Sequence, residues 1–153
     1  MLPFDVIRLT NMGDLLPVEI DTALKAAGWS GGTFIKYSRV TTVQDAEAFR
    51  VSRFVEKAGP TTVVGFLLRG SYEASDGYTV QYPGKTGIAT MCNHGSYLFK
   101  YYESDVYVLN QTVFCSANGL ITNVNAGGAR SVGVVMGLPA DNSDYLGVDV
   151  LFP

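Results

Sequence analysis

Apolar and polar residues alternate along most of the second half of this chain. Tyr97, Phe99 and Tyr101 oppose Leu98, Lys100 and Tyr102, and Val148, Val150 and Phe152 fall on one side of the last segment. A period of two is the signature of a strand with two distinct faces. From residue 61 onward the pattern predicts strands over Thr61–Arg69, Tyr78–Tyr82, Gly87–Cys92, Ser96–Glu103, Asp105–Leu109, Thr112–Ser116, Leu120–Asn123, Ser131–Leu138 and Leu146–Phe152. Glycine, proline, asparagine and aspartate separate them, with Asn93-His94-Gly95, Ala117-Asn118-Gly119 and Pro139–Asp144 read as turns. Short strands with turn signals at this spacing indicate a sandwich or barrel, not a parallel α/β sheet.

The first third is more mixed. Leu2, Phe4, Val6, Ile7 and Leu9 make residues 1–16 an apolar segment, either an ordinary first strand or an arm that docks on a neighbouring subunit. A helix is expected over about 17–28. Pro17 suits a first turn, Ile20, Leu24 and Ala27 share one face, and Gly28 is a natural stop. Trp29 then anchors its packing. Thr33–Thr42 reads as a strand. Over 42–57 the sequence Thr42-Val43-Gln44-Asp45 resembles a capping box, so a short helical turn followed by a strand is expected. The predicted organisation is an N-terminal arm, 1–16, and one β-rich domain, 17–153. No repeat, linker or low-complexity tract interrupts it.

Composition narrows the function more than the fold. The chain has 153 residues, of which 47 % are hydrophobic and 12 % aromatic, so a core can form and intrinsic disorder is excluded. Only 16 % are charged, and the net charge is −3 without a Lys/Arg run, which argues against a nucleic-acid partner. The imbalance is local: residues 101–153 hold Arg130 against Glu103, Asp105, Asp141, Asp144 and Asp149. The longest apolar run, near Val63–Leu68, is far below the about 20 residues of a membrane helix. The N-terminus lacks the basic region and apolar stretch of a secretion signal.

The candidate chemistry is sparse. His94 is the single histidine, and Cys92, two residues away, shares its strand face. Proximity alone does not make this a catalytic pair, because a histidine general base needs a positioned partner. Cys92 and Cys115 read as buried free thiols, with a disulfide between them as the alternative. Gly31-Gly32 and Gly127-Gly128 have no phosphate-loop spacing, and Asp141-x-x-Asp144 lacks the ligand count of a calcium loop. No catalytic residue, cofactor site or metal site is assigned, and the chain is not expected to be an enzyme. The strongest feature is aromatic: Tyr97, Phe99, Tyr101 and Tyr102 on one strand call for cover on both faces. Either the outward tyrosines lie flat on the surface, or they form a protein interface, where tyrosine is enriched. The candidate interface residues are therefore Leu2, Phe4, Val6, Ile7, Tyr97, Phe99, Tyr101 and Tyr102.

A cadence of Gly84-Lys85-Thr86-Gly87-Ile88-Ala89, the Gly95 turn, Asp105-Val106-Tyr107, Asn118-Gly119-Leu120-Ile121, Ser131-Val132-Gly133-Val134-Val135 and Gly147-Val148-Asp149-Val150-Leu151 runs through residues 60–153. This resembles the small decoration (cement) proteins of tailed-phage capsids. The resemblance implies a compact β-barrel, β-tulip or jelly-roll-like sandwich on the outer capsid surface of the virion. It implies a homodimer or homotrimer that clamps neighbouring major capsid proteins, with no enzymatic role; the charge balance and the short apolar runs add the expectation of no nucleic-acid and no membrane partner. It transfers no individual functional residue. The rival expectations are a head-completion or tail protein, a ligand-binding jelly roll, and a carbohydrate-binding sandwich in which Tyr97 and Tyr101 stack on sugars.

Overall fold

The computed structural model describes residues 4–9, 15–44, 49–73 and 87–152. In chain order the elements are β1 (Val6–Arg8), β2 (Leu15–Ile20), α1 (Thr22–Ala27), β3 (Phe34–Gln44), β4 (Phe49–Lys57), β5 (Gly65–Leu67), β6 (Ile88–Cys92), β7 (His94–Phe99), β8 (Thr112–Cys115), β9 (Ile121–Thr122), β10 (Ser131–Gly137) and β11 (Leu146–Leu151). A 3-10 turn, Pro139–Asp141, joins the last two. The fold is mainly β with one short helix. Five strands close a barrel in the order β2-β4-β3-β5-β6, and six form a sheet in the order β1-β7-β11-β10-β8-β9. Among the described residues the strand pairings are antiparallel except β2–β4.

Strand alternation supplies two cores rather than one core and one wet face. Ile35, Val55, Leu67, Ala89 and Met91 point into the barrel with Val18, Ile20, Leu24 and Trp29. Their strand neighbours Phe34, Phe66 and Cys92 point the other way, into a core shared with Tyr97, Phe99, Val113, Val135, Leu146, Val148 and Val150 of the sheet. A three-residue strand such as β5 is thus buried on both sides. Gly65 is required there, because an added Cβ would sit 2.7 Å from both the Cys92 carbonyl oxygen and Met91 Cγ. Phe66 is the hub of the shared core, with ring centroids 5.9 Å from Phe34, 4.9 Å from Tyr97 and 5.0 Å from Phe99.

The described strands of the N-terminal segment pair with the body. β1 pairs with β7 from Val6↔Phe99 to Arg8↔Tyr97, and β2 pairs with β6 from Leu15↔Cys92 to Glu19↔Ile88. The register runs in one sense along both pairs. Asn93-His94-Gly95 is therefore not the expected tight turn: the chain passes from barrel to sheet with only Asn93 between β6 and β7. Val6–Arg8 and Leu15–Ile20 are strands, and residues 1–3 and 10–14 of the segment expected as an arm lie outside the described residues.

The helix is shorter than expected, Thr22–Ala27 instead of 17–28. Val18 and Ile20 are buried in the barrel at a spacing of two, and that pairing overrides the four-residue spacing from Ile20 to Leu24. Pro17 is tolerated because β4 joins β2 only at Glu19 and Ile20. Gly28 closes α1 with φ 75°, as its position suggests. Thr42–Gln44 continue β3 instead of opening a helical turn, and residues 45–48 lie outside the described residues. The strand expected at Asp105–Leu109 is an irregular loop, that at Thr61–Arg69 shrinks to Gly65–Leu67, and Tyr78–Tyr82 lie outside the described residues.

Candidate interaction surfaces

Three of the sequence-derived interface candidates are core residues. Val6, Tyr97 and Phe99 are all 0 % exposed. The reason is that β7 stops at Phe99, so Tyr101 and Tyr102 do not share a strand with Tyr97, and the aromatics of β7, Tyr97 and Phe99, lie on one face. The Tyr97 hydroxyl donates to the His94 carbonyl at 2.8 Å, and burial holds this phenol well above its usual range. The Tyr97 and Tyr101 pair is therefore not offered together to a sugar. Ile7 is half-buried, and Leu2 lies outside the described residues. Phe4 is exposed, with the Arg69 guanidinium 4.3 Å from its ring centroid. Tyr101 is exposed, whereas Tyr102 is half-buried against Tyr107 and donates to the Asp144 carbonyl.

Tyr101 borders a cleft of about 430 Å³ lined also by Asp5, Trp29, Ser30, Tyr72 and Glu73. Its carboxylates are structural ties. Asp5 Oδ2 accepts from the Gly31 N–H at 2.9 Å, and Glu73 Oε1 accepts from the Gly70 N–H at 2.8 Å. The Gly31-Gly32 turn thus has a carboxylate of its own chain on the amide that an anion would use. Trp29 Nε1 donates to the Arg69 carbonyl at 2.8 Å, which closes the same corner. Burial raises the Glu73 carboxyl above its usual value, and the neighbouring Asp5 charge adds to it against the Gly70 hydrogen bond.

A second cavity, of about 460 Å³, holds the lone histidine with Asn93, Arg130, Val63, Val64 and Leu151 among its walls. His94 Nδ1 lies 3.0 Å from Asn93 Oδ1, and the Arg130 guanidinium donates to the Val63 carbonyl at 3.2 Å. Cys92 does not join it. Its side chain is in the shared core, and burial pushes the thiol up to about 11, so it is not a nucleophile at neutral pH. Cys115 is likewise buried, with its thiol pushed up to about 12, and both cysteines are free rather than disulfide-bonded. Among the described residues no cluster of three or more His, Cys, Asp or Glu side chains could hold a metal ion.

Two further exposed apolar features lie elsewhere. β3 pairs with β5 only at Phe34 and Ile35, and β4 pairs with β2 only at Phe54 and Val55. Beyond those residues β3 and β4 pair only with each other, out to Gln44↔Phe49. The result is a two-stranded ribbon extending from the barrel, up to about 25 Å at about 3.3 Å per residue. Val40 and Arg53 are opposite each other, as are Thr42 and Val51, so all four share a face. Val40 is 51 % exposed and Val51 46 %. On the other face Arg39 covers Phe54, 4.1 Å from its ring centroid.

The second feature is the loop between Glu103 and Asn110 with Val124, two residues past the end of β9. Val106, Val108 and Val124 are 86 %, 59 % and 57 % exposed. Tyr107, between the first two, is buried, and its hydroxyl donates to the Glu103 and Ile121 carbonyls. Asn123 Nδ2 donates to the Val106 carbonyl at 2.8 Å. These valines were missed by sequence reasoning because alternation around Tyr107 reads as an ordinary strand. The ribbon left a faint signal, Val40 and Val51 among Thr, Ser and Arg positions, with Asp45 and Glu47 between its strands.

No protein-family model matches the chain, and no curated protein sequence matches it.

Proposed function

We propose that this chain is a structural interaction protein that decorates the outside of a tailed-phage capsid and bridges neighbouring major capsid proteins as a homo-oligomer. The observation that carries this reading is the β3–β4 ribbon: an extension of the barrel with valines exposed and both outer edges unpaired among the described residues. A two-stranded ribbon alone in water is marginally stable, and open edges invite pairing, so such an element is best explained by a protein that covers it. The resemblance of residues 60–153 to decoration proteins supplies the kind of assembly. The low proportion of charged residues suits an exterior partly covered by other subunits.

Avidity makes modest contacts sufficient. Two linked footprints raise apparent affinity by about 10²–10⁴ without a new type of contact. The test is co-sedimentation of purified protein with expanded capsid shells that lack it. Saturable binding at hundreds of copies per particle is expected. Failure to associate with shells overturns the reading, and six or twelve copies per particle would indicate a head-completion or tail component instead.

A further inference from the structure

The cavity where barrel and sheet meet brings together two bases and, among the described residues, no acid. Arg130, from the loop before β10, and His94, at the start of β7, both line it. Arg130 is the single base of residues 101–153 against five acids, yet among the described residues it forms no ion pair. Two carbonyls of the β4–β5 connection hold it instead: its backbone N–H donates to Pro60 at 2.9 Å and its guanidinium to Val63 at 3.2 Å. A guanidinium has five N–H donors, so this anchoring leaves others for a ligand. His94 is anchored through Nδ1, 3.0 Å from Asn93 Oδ1, and Nε2 is its remaining ring nitrogen. Apolar side chains complete the walls. Val63 is fully buried, Phe152 packs edge-on against Phe34, and Leu151, opposite His94, is 70 % exposed. We infer that this cavity binds a small organic carboxylate with an apolar body, its carboxylate between Arg130 and His94 and its body against Val63, Leu151 and Phe152.

The volume, about 460 Å³, falls within the range of small-molecule sites, about 300–1,000 Å³. A carboxylate matches the donors, because its two oxygens suit the fork of a guanidinium. Asn93 Oδ1 accepts from Nδ1–H, so Nε2 donates to a ligand when the ring is protonated. A protonated His94 and Arg130 repel each other across the empty cavity, and an anion between them removes that repulsion. Carboxylate binding and protonation of His94 therefore favour each other equally. Two other charged groups lie near the start of β7. Arg8 acts on Tyr97, whose hydroxyl donates to the His94 carbonyl. Asp149 shares the sheet face of His94, one step along β11 from Leu151, and accepts from the Ser96 hydroxyl. Neither lines the cavity. The site goes beyond the decoration reading and does not depend on it.

Benzoate is the probe, titrated into the full wild-type chain and followed by NMR of the backbone amides and the His94 ring. Saturable shifts at His94, Arg130 and Leu151 are expected, with a dissociation constant on the order of 1 mM or below. Binding should be at least about threefold tighter at pH 6 than at pH 8, since benzoate stays ionised over that range and a histidine titrates within it. Acetate, which lacks the ring, and benzyl alcohol, which lacks the charge, should each bind at least about tenfold more weakly. Arg130→Gln should weaken benzoate at least about tenfold with an unchanged far-UV circular dichroism spectrum, and His94→Gln should abolish the pH dependence. Benzyl alcohol or acetate binding as tightly as benzoate would overturn the inference. So would shifts that map away from the cavity, or no saturation below about 20 mM benzoate. None of these results bears on co-sedimentation with shells, so the carboxylate site and the decoration reading fail separately.

Discussion

Replacing Phe66 by alanine should destabilise the barrel and the sheet together. Phe66 lies on a barrel strand, yet its ring is packed edge-on against Tyr97 and Phe99 of the sheet and Phe34 of the barrel, and it is 0 % exposed. A buried Phe→Ala change costs about 3–5 kcal/mol from lost transfer energy and the cavity left behind. The three ring contacts place Phe66 at the upper end of that range, since aromatic pairs are worth about 0.5–1.5 kcal/mol beyond area. Phe66→Leu keeps much of the apolar volume but loses the ring geometry, and should cost about 1–2 kcal/mol. Against a total of about 5–15 kcal/mol, the alanine variant removes a large share of the stability.

Urea unfolding with two probes measures this. The fluorescence of Trp29, the single tryptophan, reports the barrel core. Hydrogen exchange of the β10 and β11 amides reports the sheet. Both should lose the same free energy in Phe66→Ala, with one coincident transition. A shift in the Trp29 midpoint with undiminished protection of β10 and β11 would refute the shared core as the joint between the two halves. So would a loss below about 1 kcal/mol.

Two further outcomes follow from local geometry. Gly133→Ala drives a Cβ into the Asp149 carbonyl on the adjacent strand, whereas at Gly59 nothing lies within 4 Å of an added Cβ. The first should cost at least about 2 kcal/mol, and the second should be neutral or stabilise by up to about 1 kcal/mol, in parallel thermal melts. Equal effects would show that the β10–β11 approach is looser than described. Glu73 titrates above the usual carboxylate value of 4.5 because it is partly buried. The folded state therefore holds its proton more tightly than the unfolded chain. Its destabilising contribution is absent below pH 4.5, grows as pH rises, and is complete above the raised value. Glu73→Gln keeps an acceptor for the Gly70 N–H, so its stability relative to the wild type should improve between pH 4 and pH 7. A difference independent of pH would refute the burial argument.

The sequence by itself determined the fold class. Turn residues set the β segments apart, and the period of two in β7, β10 and β11 is a local property that survives without knowledge of neighbours. Gly28 and Leu24 likewise marked the helix, because capping and spacing act within a few residues. The helix start was not legible: Pro17 and Ile20 satisfy a helical pattern and a strand pattern equally, and only pairing with β6 decides between them. The passage from barrel to sheet at Asn93 depends on the N-terminal segment crossing both. The low charge and many tyrosines suggested an interface on Val6, Tyr97 and Phe99 among others, and the tertiary structure buries these three. Val6, Tyr97 and Phe99 went to the core because β7 is covered on that face by Phe66 from another sheet. Val40 and Val51 came to the surface because β3 and β4 there pair only with each other among the described residues, and Val106 and Val124 because they lie in loops. Burial is a relation between distant segments, so alternation shows that a strand has two faces, and only the assembled fold shows which of them is left for a partner.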